Sequence, residues 1–196
     1  MTDAAALRSR PLVLADLLPG ALVRDGLLVA GAAGFVGLLA QLSIHLPFTP
    51  VPVTGQTLGV LLAGTALGWR RGALALALYA VAGVAGVPWF AGGSSGYASA
   101  SFGYVIGFFA AAALCGYLAQ RGADRSAVKS LPAMLAGEVV IYAFGLTWLA
   151  LDLHLTASAT LAEGLTPFLV GDLIKAAVAA GLLPAAWRLA RGRQAG

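Results

Sequence analysis

Eleven of the chain's twelve Lys and Arg residues fall in every second break between its apolar segments. The cationic breaks are the N-terminal region with Arg8, Arg10 and Arg24, the Arg70–Arg71 pair, the turn holding Arg121, Arg125 and Lys129, and the C-terminal group of Arg188, Arg191 and Arg193. The breaks around Pro47–Pro52, Trp89–Tyr97 and His154 contain no Lys or Arg. Loops of a membrane protein that stay in the cytoplasm retain Lys and Arg. Strict alternation then requires an even number of crossings and puts both termini on the cytoplasmic side. The expectation is an all-α integral protein of the cell membrane with six transmembrane helices.

Lipid is the solvent that makes the composition workable. Hydrophobic residues make up 60% of the chain and charged ones only 10%, with a mean hydropathy of +0.88. A soluble domain carries about 25% charged residues. The net charge of +4 does not imply nucleic acid, because the cations are spread over alternate loops and form no patch. Cys115 is the single cysteine, which excludes an internal disulfide and a cysteine-based metal cluster. It lies in an apolar run and reads as a small core hydrophobe.

Residues 1–20 lack a long apolar core and read as a cytosolic tail, 21–190 as a six-helix transmembrane substrate-binding domain, and 191–196 as a second cytosolic tail. Within the domain, the first helix is expected over Leu22–Leu46, stopped by Pro47. The second runs from Gln56 to Gly68, the third from Gly72 to Val87, the fourth from Ser101 to Gln120 and the fifth from Leu131 to Leu151. Residues 152–164 read as a loop. The sixth helix starts at Thr166 as N-cap with Pro167 in first position, and runs to Arg188. The second helix has roughly 13 residues against the ~20 that cross hydrocarbon. The Pro-rich stretch before it must supply the missing depth, and irregular backbone in a bilayer survives only where protein shields it or it lines a cavity. An interrupted span of this kind points to a binding site.

The twelfth cation, Lys175, lies inside the sixth helix, three residues after Asp172, so the two share a face. A mutually neutralising structural pair is one reading. Such pairs are poor sources of stability, and a charge in the membrane costs about 2.5–3.5 kcal/mol on insertion scales, which favours a ligand or ion site. Glu138 in the fifth helix is the other deep acid, with Tyr142 one turn on, or a polar group of another helix, as its candidate partner. Thr54 and Gln56, at the end of the Pro-rich stretch, either reach a ligand or cap the second helix. Trp89, Phe90, Tyr97 and Tyr104 cluster around the third loop, part interfacial belt and part candidate ligand contacts. Gly92–Gly96 satisfies the G-x-S-x-G pattern of serine hydrolases, but the strand–turn–helix context that motif needs is absent. In the first helix, Ala30 with Gly34 and Ala33 with Gly37 form small-xxx-small strips, which let helix backbones approach closely in lipid. Gly103 and Gly107 offer a similar face in the fourth helix, read as internal.

Several stretches together resemble the BioY family, the biotin-specific S-components of energy-coupling factor (ECF) transporters. They are PFTPVPVTGQTLGVLLAGTALGWRRGALALALYAVAGVAGVPWFAGG, FGYVIGFFAAAALCGYLAQRG, IYAFGLTWLAL and GDLIKAA, covering residues 20 to 188 nearly throughout. The P-x-T-x-Q-x-L-G run from Pro52 and the G-D-x-x-K run from Gly171 are the specific ones. The chain departs from the family's G-P-T-G-G-Y before the fourth helix, having Ser101-Phe102-Gly103-Tyr104 there. The resemblance implies an S-component-like bundle that captures biotin, needs no cofactor, performs no catalysis, and works with a transmembrane coupling subunit and two ABC-type ATPases. Its ligand set would be Asp172, Lys175, Tyr104, Gln56, Thr54, Trp89 and Tyr142, with Asp172 accepting from a ureido N–H and Lys175 donating to a ligand oxygen. Docking on the coupling subunit would use the small residues of the first helix, Ala30, Gly34, Ala33 and Gly37. The competing readings are an ion-coupled carrier relaying protons through Asp172 or Glu138, an intramembrane hydrolase using Ser94 or Ser95, and a structural membrane subunit.

Overall fold

The structure is a computed structural model that describes residues 13–18, 20 and 22–194, with side chains described to Arg191. Arg8, Arg10, Arg193 and most of the two expected tails lie outside these limits. A single 3-10 turn, Leu14–Leu17, precedes α1 (Leu22–Ala40). A two-residue hairpin follows, β1 (Ser43–Ile44) and β2 (Val53–Thr54), leading into α2 (Gln56–Leu67) and α3 (Trp69–Val84). After a 3-10 turn at Ala91–Gly93 come α4 (Phe102–Gln120), a turn at Ala123–Arg125, α5 (Ala127–Asp152), α6 (Ala157–Gly164) and α7 (Leu169–Gln194). The described residues thus hold seven α-helices, not six. By length and apolarity, α1, α4, α5 and α7 are able to cross a membrane, so the chain is a multi-pass membrane protein. Leu27, Leu38, Leu74, Val139 and Val170 point outward, as side chains solvated by lipid do.

The departures from expectation lie at element ends. α1 stops at Ala40, six residues before the expected Leu46, because the chain beyond it turns into the hairpin. Ser43 pairs with Thr54 and Ile44 with Val53, and the Gly55 N–H donates to the Leu42 carbonyl at 3.1 Å. These bonds claim the backbone before Pro47 can act as the stop. The expected loop 152–164 contains α6, capped by Thr156, whose side chain accepts from the Ala159 N–H. Thr166 does not cap the last helix. Its hydroxyl donates at 3.0 Å to the Leu161 carbonyl, closing α6, and α7 begins three residues later. α3 is shifted to start at Trp69 and α5 begins at Ala127, ahead of Leu131.

Gly68, at φ +82°, is the single-residue joint between α2 and α3, a conformation that favours glycine. Close packing of α2 on α4 also depends on missing side chains. A Cβ on Gly64 would sit 2.6 Å from Ala112 Cα, and one on Gly116 2.4 Å from the Trp69 nitrogen. Gly103 and Gly107 pack internally as expected, facing Trp148 and Ile141 of α5. The core has two parts, one around Tyr79, Phe108 and Ile141, the other around Leu61, Met134 and Leu183. Cys115 is buried in the second.

The two small-residue strips of α1 part company. Ala33 and Gly37 are buried, and a Cβ on Gly37 would meet Trp89 at 3.2 Å. They pack within the bundle and offer no outer face, which corrects the expectation for that strip. Ala30 and Gly34 are exposed, with nothing within 4 Å of a Cβ on Gly34.

Candidate ligand-binding site

Asp172 enters the structure in the first turn of α7, where the helix dipole favours an acidic side chain. Its carboxylate is nearly fully buried. One oxygen accepts from Lys175 Nζ at 2.8 Å and from Thr57 Oγ1 at 3.1 Å. The other accepts from the Tyr142 hydroxyl of α5. Lys175 spends its remaining protons on the Thr54 carbonyl at 2.6 Å and on Thr57 Oγ1 at 3.1 Å. The ion pair is therefore built into a network tying α7 to the start of α2 and to α5, which is what a charge in a membrane requires.

The hairpin is what brings α2 into reach. β2 ends at Thr54, so Thr54, Gln56 and Thr57 occupy the entry to α2 in fixed register. Gln56 is buried; it donates to the Tyr79 hydroxyl at 2.5 Å and accepts from Thr54 Oγ1 at 3.0 Å. Val51 and Pro52 of the Pro-rich segment form part of the cavity wall. Thr49 Oγ1 donates to the Glu163 carbonyl of α6 at 2.7 Å, fastening that segment across to α6.

Between these groups lies a cavity lined on its polar side by Thr54, Gln56, Thr57, Tyr142, Asp172 and Lys175. Phe90, Phe102, Tyr104, Phe108, Ile141 and Phe168 make the apolar walls. The space between its atoms, open mouth included, is about 640 Å³. An apolar chamber with a few convergent polar groups is the usual form of a small-molecule site. Tyr104 stands edge-on to Tyr142, centroids 6.3 Å apart, and its hydroxyl donates to the Gly164 carbonyl at 2.7 Å.

Six of the seven expected ligand residues line this cavity. Trp89 does not. Its indole donates to the Tyr79 carbonyl at 2.9 Å and its ring lies 5.2 Å from Tyr79's, behind the wall that Phe90 forms. Thr57 was not among the expected residues, although it touches both members of the ion pair. The sequence carried only a weak signal for it, a threonine next to Gln56 in the first turn of α2. Glu138 is buried, and neither of its oxygens has a hydrogen-bond partner. Neither candidate partner bonds it: Tyr142 bonds Asp172 instead, and among the described residues no polar group of another helix reaches the Glu138 oxygens. Ser94 Oγ donates to the Ala91 carbonyl, within a 3-10 turn and not at a strand–helix elbow. Among the described residues no cluster of metal-ligating side chains occurs.

A helical membrane bundle with a chamber roofed by a Pro-rich hairpin, and a buried ion pair at its wall, defines a small-molecule-binding membrane protein. The chain belongs to the BioY family, whose model matches residues 8–192. It is 39% identical over 80% of its length to the biotin transporter BioY of Rhizobium etli, covering 89% of that protein. The probable biotin transporter BioY of Pyrococcus horikoshii is 36% identical over 78% of this chain and 89% of its own. The fold matches the crystal structure of the S-component for biotin from an ECF-type ABC transporter with a TM-score of 0.76 and 26% identity, over 89% of this chain and 93% of that one.

Proposed function

We propose that this chain is a biotin-binding S-component, which captures the vitamin in the membrane and delivers it to the cytoplasm with an ECF energising module. The observation that carries this reading is the Asp172–Lys175–Thr57 network at the wall of an aromatic chamber. Biotin has a compact apolar bicycle suited to Phe90, Tyr104 and Phe108, and its ureido group offers two N–H donors and one carbonyl acceptor to a carboxylate and an ammonium. Its ligand residues are Asp172, Lys175, Thr54, Gln56, Tyr104, Tyr142 and Thr57, with Trp89 holding Tyr79, whose ring packs on Phe90. The names of the related transporters and the match to a biotin S-component support the same substrate.

In this reading the six crossings are α1, α2 with its hairpin, α3, α4, α5 and α7. α6, roughly 12 Å long, is too short to cross, and its C-terminal carbonyls at Glu163 and Gly164 hold Thr49 and Tyr104. The positive-inside rule puts the ends of α1 and α7 that carry Arg24 and Arg188 in the cytoplasm, and the cavity mouth outside. The partners are a transmembrane coupling subunit and two ABC-type ATPases, met through the open Ala30–Gly34 strip of α1. The test is titration of the purified protein with biotin in detergent. Saturable binding at micromolar concentration or tighter is expected, at one biotin per chain, and its absence overturns the reading.

A further inference from the structure

Glu138 is used by none of the contacts above. It sits on α5 one turn before Tyr142, is 5% exposed, and has both carboxyl oxygens unpartnered. It lines a second cleft, between α5 and α7, whose wall also carries Tyr142 and Asp172. The buried cluster then holds two carboxylates, Glu138 and Asp172, against one ammonium, Lys175. One positive charge is missing, and an unbalanced charge in a membrane is costly. A metal cation would gather about six oxygens, whereas the rest of this cleft is aliphatic, with Leu135, Val139, Leu165 and Leu169 among its walls. A proton needs only the carboxylate.

We propose that Glu138 is the proton-binding group of this cluster and that loading of the adjacent cavity draws a proton onto it through the α5–α7 cleft. The coupling follows from the contacts of Lys175, whose three protons go to Thr54, Thr57 and Asp172. A ligand oxygen that engages the ammonium does so by taking it partly from Asp172. A ligand carboxylate adds a further negative charge. Either change raises the demand for positive charge at Glu138. The titratable groups that act on Glu138 are Asp172 and Lys175 from α7, Cys115 from α4 and Tyr142 from its own helix. α2 presents no titratable side chain, and those of α6 and the Ala123–Arg125 turn flank the two ends of α5.

The inference rests on the cavity taking biotin, whose own carboxyl stays ionised above about pH 6. Biotin affinity is measured from pH 6 to pH 9 in choline chloride. The native chain is expected to lose affinity as pH rises, by up to about tenfold per pH unit at the steepest point, and Glu138→Gln to bind with a flat profile at the native low-pH affinity. Glu138→Met, equally unable to take a proton, must also be flat. A pH-independent native chain, or variants that keep its slope, overturns the proposal. So does an affinity that follows sodium at constant pH in the native chain but not in Glu138→Gln, which would make the occupant a metal cation. A second readout needs no ligand: titrated downward from pH 9, the ligand-free protein should gain a carboxylic-acid carbonyl band in the infrared that Glu138→Gln lacks. If the chain binds no biotin, that band still decides whether Glu138 holds a proton, and its absence sinks the proposal.

Discussion

Thr57 Oγ1 is a single atom placed between two charges, donating to Asp172 and accepting from Lys175. Thr57→Val keeps the shape and removes both bonds, and should weaken biotin binding about fivefold, the worth of about 1 kcal/mol of hydrogen bonding. Asp172→Asn and Lys175→Met should each cost at least about tenfold, about 1.4 kcal/mol. Titration on variants shown by circular dichroism to be folded separates loss of binding from loss of fold. Near-native affinity in both charge variants would leave the pair a purely structural role. Asp172 and Lys175 were legible in the sequence because a charge inside an apolar run has few explanations. Thr57 was not, since a threonine is tolerated anywhere on a membrane helix and its importance exists only once α7 is folded against α2. The exchange of Trp89 for Phe90 has the same origin: adjacent aromatics in a loop face different ways, and only the backbone decides which one enters the cavity.

At the scale of elements, the long apolar segments specified α1, α4, α5 and α7, because a bilayer forces every backbone polar group to be satisfied within its own helix. Short segments that turn back within a few residues carry no such signal, and there the reading failed. The hairpin is held by cross-strand pairs whose partners lie nine and eleven residues apart in sequence, and α6 by a cap at Thr156 that resembles any polar loop. The α4–α5 turn holds a further contact with a measurable consequence. Asp124 is buried there; it accepts from the Trp187 indole of α7, while the Arg125 guanidinium lies 3.4 Å over the same ring. Burial pushes the Asp124 carboxyl above the ordinary carboxylate range, against the opposing pull of Trp187 and Arg125. The folded chain therefore binds this proton more tightly than the unfolded one. Its contribution to stability declines as pH rises from the ordinary carboxylate value through the raised one. Thermal unfolding of Asp124→Asn, whose amide oxygen still accepts from Trp187, should show no such decline. The melting temperature of the native chain relative to this variant should thus fall as pH increases across that window, and a constant difference would refute the assignment.

For the whole molecule, the orientation and the docking face are the two properties that the charge alternation and the surface of α1 predict. In a Cys115→Ala background, single cysteines at Ser95 and Ser158 should label from outside intact cells, and one at Ser126 should not. The reverse pattern would invert the bundle. Ala30→Trp or Gly34→Leu adds bulk where α1 is open, so the isolated chain should still bind biotin while co-purification with the coupling module and ATP-dependent uptake are lost. Normal assembly of both variants would move the docking surface elsewhere. The contacts of the ion pair have one more consequence. Every proton of Lys175 already has an acceptor, so a ligand oxygen adds nothing at the ammonium unless it replaces a bond that exists. The Asp172 oxygen that takes the Tyr142 hydroxyl, by contrast, keeps room for a second donor. Recognition at the ammonium becomes a comparison between two complete sets of partners. A molecule that matches only half the pattern breaks as much as it makes, and selectivity arises from the protein's own groups acting as the competing ligand.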